Sequence, residues 1–224
     1  MFLADFFEKE LSYISNNHLR NVVKEVLNNS PKCIATIPAS SSGKYHPKLD
    51  LTVGRIDKDG TIHAGGLVYH TKTVVAICLD LIRNMYFDKC ISAKTEEERQ
   101  MWIDSAIASC ICHDCCKASD DDENHTTIFE HSLLASELFS KTLEKYIVNN
   151  KSDLTHKEYG LLKGVYKPII TSAISSHMGK WNTSKYSDIV LPTPETDFEL
   201  FIHLCDYIAS RKILDFNLDF YNSN

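Results

Sequence analysis

This chain of 224 residues has little of what marks the specialised protein classes. No apolar run reaches the ~20 residues that a membrane-spanning helix needs, so a soluble protein with no membrane partner is expected. The opening stretch Met1-Phe2-Leu3-Ala4-Asp5-Phe6-Phe7-Glu8 turns acidic at once and has no secretory pattern, so the expected compartment is the cytoplasm. Glycine and proline are scarce, at 8 and 6 residues, and no repeat, low-complexity tract or linker divides the chain. Positive charge is not in excess. The 24 Lys and Arg against 30 Asp and Glu leave a net charge of −6, which argues against non-specific duplex binding and confines any nucleic-acid role to a pocket. The Gly-x-x-x-x-Gly-Lys phosphate loop is missing, although Ser42-Gly43-Lys44 offers a fragment of it. The acidic run Asp120-Asp121-Asp122-Glu123-Asn124 lacks the alternation and central glycine of a calcium loop and reads as solvated.

Cysteine, by contrast, is plentiful: Cys33, Cys78, Cys90, Cys110, Cys112, Cys115, Cys116 and Cys205. Most lie in apolar helical runs, where a free thiol behaves as a small hydrophobe in a reducing compartment. Cys112 and Cys115 have CxxC spacing, but no second pair at zinc-site spacing answers them. The His-Asp pair between them is therefore the more informative feature.

Hydrophobic residues make up 43% of the chain, enough for one good core. Apolar residues recur at three- and four-residue steps over two helices in 1–29, and again in 67–88, 94–117, 127–148 and 161–178. A last helix starts near Thr193 or Glu195 and carries Asp206. Thr95-Glu96-Glu97-Glu98 reads as a helix start with acids in the first turn, and Gly179 as a C-terminal cap. Residues 31–66 are turn-rich and irregular; such a stretch is a functional loop or an exposed one. The fold class is all-α, a single bundle of roughly seven helices. Residues 1–64 supply N-terminal helices and a polar loop packed on a main domain spanning 65–224.

Six polar residues interrupt these apolar helices: His70, His113, Asp114, His131, His177 and Asp206. Any one alone is explained as a hydrogen-bonded core residue. Burying an unpaired polar group costs about 2–7 kcal/mol, and a charge more. A divalent cation removes that penalty for imidazole and carboxylate together; this mixed ligand set suits Mn, Fe, Ni, Co or Zn, and Mg is the further candidate ion.

In the order His, His-Asp, His, His, Asp, these residues resemble the HD-domain metal-dependent phosphohydrolase superfamily, with His113-Asp114 as the HD pair and Lys117 behind it. The resemblance covers about residues 65–215. Gly65-Gly66-Leu67-Val68-Tyr69-His70-Thr71, Ser176-His177-Met178-Gly179 and Leu191-Pro192-Thr193-Pro194-Glu195 are most similar to the HD domain of bacterial 3′–5′ exoribonucleases. Those enzymes usually have a second His where Met178 stands, and they carry an OB-type domain that residues 1–64 are too short to form. The resemblance implies one or two divalent metal ions. His70, His113, Asp114 and Asp206 would hold the first; Asp114 would bridge to a second held by His131 and His177. Asp114 and Lys117 would be the catalytic pair, Lys117 holding a phosphoryl oxygen. Lys44, His46 and Lys180 are candidates for the rest of the substrate, and Trp181 for stacking on a base. The implied activity is hydrolysis of a phosphomonoester or phosphodiester in a nucleotide or short oligonucleotide, that is, a phosphorylated small molecule or short nucleic acid, by a monomer or homo-oligomer. The alternative is a degenerate HD domain that binds nucleotides or partners without hydrolysis.

Overall fold

The chain's structure is a computed structural model that describes residues 2–214; Met1 and residues 215–224 lie outside the described residues. The all-α class is observed. The helices are α1 (Glu8–Ser12), α2 (Asn17–Asn29), α3 (Gly66–Arg83), α4 (Glu96–Cys112), α5 (His131–Asn149), α6 (His156–Leu161), α7 (Lys167–Ser176) and α8 (Asp197–Ala209). One apolar core joins them, from Leu3 and Phe7 at the start of the chain to Cys205 and Ala209 at its end.

The central element is α4, which packs against α1, α2, α3, α7 and α8. Every residue from Asp104 to Cys112 is buried, and most are small: Ser105, Ala106, Ala108, Ser109 and Cys110. Small side chains let neighbouring helices approach on all sides, and the two serines spend their hydroxyls on the carbonyls one turn back. Thr95 caps the helix as its sequence implied, accepting from the Glu98 N–H at 3.1 Å.

One buried acid in α4 serves the fold. Asp104 accepts from the Ser15 N–H at 2.8 Å, the Ser15 hydroxyl at 2.8 Å, the Asn16 N–H at 2.9 Å and the Gln100 amide at 3.0 Å. It therefore anchors the turn between α1 and α2, and with it the N-terminal segment, to the centre of the bundle.

Several boundaries differ from the sequence reading. The helix expected over 94–117 stops at Cys112; His113 is its C-cap, Asp114–Cys116 continue as turns and the chain bends at Lys117. The helix expected over 161–178 begins earlier, at His156, and is interrupted by a π-turn over Leu162–Tyr166. Pro168 follows in the first turn of α7, where it has no N–H to donate, so the chain widens just ahead of it. The irregular stretch 31–66 holds a small antiparallel hairpin, β1 (Arg55–Ile56) with β2 (Ile62–His63), around the turn at Asp57–Gly60. Two residues per strand are too few to show as alternation. The acidic run 120–124 is a largely exposed loop, as expected, and Asp120 at its start also accepts from the Lys32 and Cys33 N–H groups, each at 2.8 Å.

Asp104→Ala should lower unfolding free energy by about 2 kcal/mol, because it removes the shared acceptor of the Ser15, Asn16 and Gln100 donors from the centre of the bundle. Urea denaturation of the variant checks this; a change below about 1 kcal/mol would contradict the anchoring role.

Candidate metal centre

The six residues singled out in the sequence meet at one place. His70 stands one turn into α3, His113 at the C-cap of α4 with Asp114 beside it, His131 at the first position of α5, His177 at the C-cap of α7 and Asp206 on α8. Helix ends are suited to this, because their last carbonyls have no partner within the helix and can orient a side chain. The His113 Nδ1–H donates to the Cys110 carbonyl at 2.8 Å, the His131 Nδ1–H to Ile128 at 2.7 Å and the His177 Nδ1–H to Ile174 at 2.7 Å. A carbonyl only accepts, so in each neutral ring the hydrogen sits on Nδ1 and the Nε2 lone pair faces inward. Metal-ligating histidines are held in this way.

The inward-facing atoms lie close together, and of them only His70 Nε2 and Asp206 Oδ1 are hydrogen-bonded to each other. His131 Nε2 is 3.0 Å from Asp114 Oδ1, His177 Nε2 is 3.6 Å from the same oxygen, His113 Nε2 is 3.4 Å from Asp114 Oδ2, and His70 Nε2 is 3.0 Å from Asp206 Oδ1. Yet His113 Nε2, His131 Nε2 and Asp114 Oδ1 are buried and have no hydrogen-bond partner among the described residues. Buried polar atoms left unpaired are rare in folded proteins and call for an explanation. A cation supplies one. Bonds of about 2.1 Å from metal to ligand put adjacent ligand atoms about 3.0 Å apart in an octahedron and about 3.4 Å apart in a tetrahedron. The observed spacings straddle those values. Ligand atoms of His70, His113 and Asp114 lie within 4.8 Å of one another, as do those of Asp114, His131 and His177, and of His113, His177 and Asp206. Asp114 is shared by two of these groups, one oxygen turned to each side. The buried cluster fits a divalent metal ion by geometry and by donor type.

One residue that sequence reasoning missed completes the arrangement. Asp50 is 2% exposed and accepts from His70 Nδ1 at 3.1 Å and His46 Nδ1 at 2.8 Å. It stands behind His70 as the other carbonyls stand behind the other imidazoles. The glycine pair makes this possible. A Cβ on Gly66 would lie 2.0 Å from the Asp50 carbonyl oxygen, and one on Gly65 2.3 Å from that of Thr36. Only a residue without a side chain lets the irregular loop press against the start of α3. The signal in the sequence was the Gly65–Gly66 pair; nothing in it named the acid 16 residues upstream.

The remaining candidates are placed as follows. Lys117 donates from Nζ to Asp114 Oδ2 at 2.6 Å, at the floor of a cavity of about 630 Å³ that opens over the cluster. His46, Lys180, Trp181 and Met178 line that cavity. Lys44 does not line it; it is exposed, with its ammonium 5.0 Å from the centre of the Tyr45 ring. Tyr45, Tyr207 and Arg211 do line the cavity, and no sequence signal had singled them out. The CxxC thiols of Cys112 and Cys115 are buried and join no group of candidate ligands among the described residues. Cys78, Cys110 and Cys205 do cluster within 4.8 Å, fully buried on three helices and away from the cavity. All eight cysteines are free thiols.

No family model, curated protein or solved structure matches this chain. Among the described residues, no helix is long and apolar enough to cross a membrane.

Charge in the cluster is balanced internally. Burial opposes ionisation of Asp114, but the Lys117 ammonium and the His113 imidazole hold its carboxyl far below the usual range, and Asp114 in turn raises Lys117. Burial also works against Asp206 and Asp50, yet His70 keeps Asp206 below the ordinary carboxylate value, and His46 and then His70 do the same for Asp50. Burial alone would discharge His70; the Asp206 and Asp50 carboxylates on its two nitrogens outweigh that and raise it to about 9.

A group raised above its unfolded value, about 6.5 for imidazole, stabilises the fold fully below that pH and ceases to do so as pH rises through its folded value. The depressed carboxylates act at the other end, losing their contribution as pH falls below about 4. Metal-free protein should therefore show a melting temperature that falls between pH 6.5 and about 9. Asp50→Asn, which removes one of the two carboxylates charging His70, should flatten that fall. A flat profile in the wild-type chain would contradict the assignment.

Proposed function

We propose that this chain is a metal-dependent phosphohydrolase of the HD type, acting as a phosphomonoesterase or phosphodiesterase on a nucleotide or short oligonucleotide. The observation that carries this reading is the buried convergence of three orphaned ligand atoms, His113 Nε2, His131 Nε2 and Asp114 Oδ1, beneath an open cavity. Imidazole and carboxylate in these numbers suit a catalytic divalent ion better than a structural thiolate site would. The order of those ligands along the chain, and the text around Gly65-Gly66 and His177, carry the resemblance to HD phosphohydrolases.

His70, His113, Asp114 and Asp206 would hold one ion, and Asp114, His131 and His177 a second. A bound divalent ion of this kind supplies charge neutralisation at phosphoryl oxygens and a water of lowered pKa. The chain's own residues do the rest. The carbonyls of Cys110, Ile128 and Ile174 fix three imidazoles with Nε2 inward, and Asp50 fixes the fourth. Lys117 sits with its ammonium on Asp114 Oδ2 at the cavity floor, where an arriving phosphoryl oxygen can accept from it as a second partner. The near-complete burial of the four imidazoles keeps bulk water from competing at their nitrogens.

The second reading, nucleotide binding without hydrolysis, draws on Met178, a thioether at the cavity wall where a further imidazole would be familiar. The two differ in turnover. With Mn²⁺ or Mg²⁺ supplied, the wild-type chain should hydrolyse bis(4-nitrophenyl) phosphate. Asp114→Ala should reduce bound metal and lower turnover by more than about a hundredfold, beyond what losing a group that only orients a ligand costs. Metal uptake without turnover in the wild type would favour the binding module, and full turnover in Asp114→Ala would remove the hydrolase reading.

A further inference from the structure

Beside the metal cluster the cavity wall changes character, from buried imidazoles to half-exposed rings and cations. Trp181 and Tyr207 stack with ring planes 17° apart and centroids 5.6 Å apart. Trp181 also rests against His203 at 5.9 Å, and the His203 Nδ1–H donates to the His177 carbonyl at 2.6 Å. The aromatic wall is thus tied to the backbone of a metal-ligand residue. Arg211 lies between two rings, its guanidinium carbon 4.3 Å from the centre of Tyr207 and 5.2 Å from that of Tyr45. It is oriented by bonds from Nε to the Tyr207 carbonyl, 3.1 Å, and from Nη2 to the Ser210 hydroxyl, 2.9 Å. Lys180 Nζ sits 5.0 Å from the Trp181 ring centre.

Neither cation has a carboxylate partner among the described residues, although the chain is acidic overall. Most of the other charges in this cavity are already paired: Lys117 with Asp114, Asp206 with His70. Two unpaired cations held on aromatic faces next to a stacked ring pair combine two recognition chemistries. Rings offer a flat apolar platform for a heteroaromatic base, worth about 1–3 kcal/mol per stacked base by alanine substitution. A guanidinium held flat between rings still presents N–H donors in the plane that matches phosphate oxygens. A sugar phosphate or an inorganic anion would use the second and leave the first idle.

We infer that the wall formed by Tyr45, Lys180, Trp181, Tyr207 and Arg211 is a nucleotide subsite. The base stacks on the Trp181–Tyr207 face, and Arg211 with Lys180 takes a phosphate other than the one over the metal cluster. The ligand class is a nucleotide with at least two phosphate groups, either as a diphosphate or as successive phosphates of an oligonucleotide end. This inference rests on the hydrolase reading for the role of the subsite, but its binding chemistry stands on the rings and cations alone.

The test compares two non-hydrolysable probes on the full chain by calorimetry in Mg²⁺: α,β-methylene-ADP and base-free methylenediphosphonate. The wild type should bind the nucleotide analogue at least about tenfold more tightly. Trp181→Ala and Tyr207→Ala should collapse that ratio towards one; Trp181→Ala should leave methylenediphosphonate affinity unchanged, which also certifies its fold, and Tyr207→Ala, which removes a ring from beneath the Arg211 guanidinium, should lose nucleotide affinity more than methylenediphosphonate affinity. Arg211→Gln should weaken both probes. A wild-type ratio near one, or a ratio preserved in both ring variants, overturns the subsite. Hydrolysis of bis(4-nitrophenyl) phosphate in parallel separates the two ideas. Turnover with a ratio near one defeats the subsite alone; a large ratio abolished by the ring variants, without turnover in any metal, defeats the hydrolase reading alone.

Discussion

Like-natured ligands crowd into one buried volume here, and the fold spends much of its architecture keeping them there. Four imidazoles and two carboxylates face each other across 3.0–3.8 Å, nearly all out of contact with water. Three of the imidazoles are pinned by the carbonyl three residues back, a bond available because each residue sits at a helix end or in the turn leading into one. Neutral rings pinned this way cannot turn their Nε2 atoms elsewhere. The energetic consequence is a pocket that is poorly satisfied on its own and well satisfied around a cation.

Two buried acids of similar exposure illustrate the contrast. Asp104 and Asp114 both lie on or beside α4 and both are nearly inaccessible. Asp104 is saturated by five donors, the Tyr166 hydroxyl at 3.5 Å among them, and holds the N-terminal helices in place. Asp114 has one oxygen on Lys117 and the other free of any hydrogen bond, pointed at two imidazole nitrogens. The first belongs to the scaffold; the second is available for chemistry. Burial alone does not separate them, whereas the count of donors does.

The sequence revealed the helices and the six cluster residues because both leave a periodic or compositional trace. An apolar stripe interrupted by His or Asp is visible without coordinates, and so are Thr95 as a cap and Gly179 as a helix stop, which adopts φ +57°. What stayed hidden depends on contacts between distant segments. Asp50 sits in an irregular stretch with no period, and its role appears only when Gly66 lets that stretch touch α3. Tyr207 and Arg211 read as ordinary features of a C-terminal helix until Tyr45, more than 160 positions earlier, closes over the guanidinium. Asp104 was inconspicuous inside an apolar run because its partners, Ser15 and Asn16, come from another helix turn. Lys44 shows the opposite error: a suggestive Ser-Gly-Lys text that the fold leaves on the outside of the cavity.

The central claim is that these atoms surround a cation, and anomalous diffraction tests it most directly. Crystals soaked in Mn²⁺, measured on either side of the manganese edge, should give a strong difference peak bonded to His113 Nε2 and the carboxylates of Asp114 and Asp206, with a second beside His131 and His177 when both positions fill. A map with manganese only at surface carboxylates, and none inside the ring of Nε2 atoms, would contradict the account.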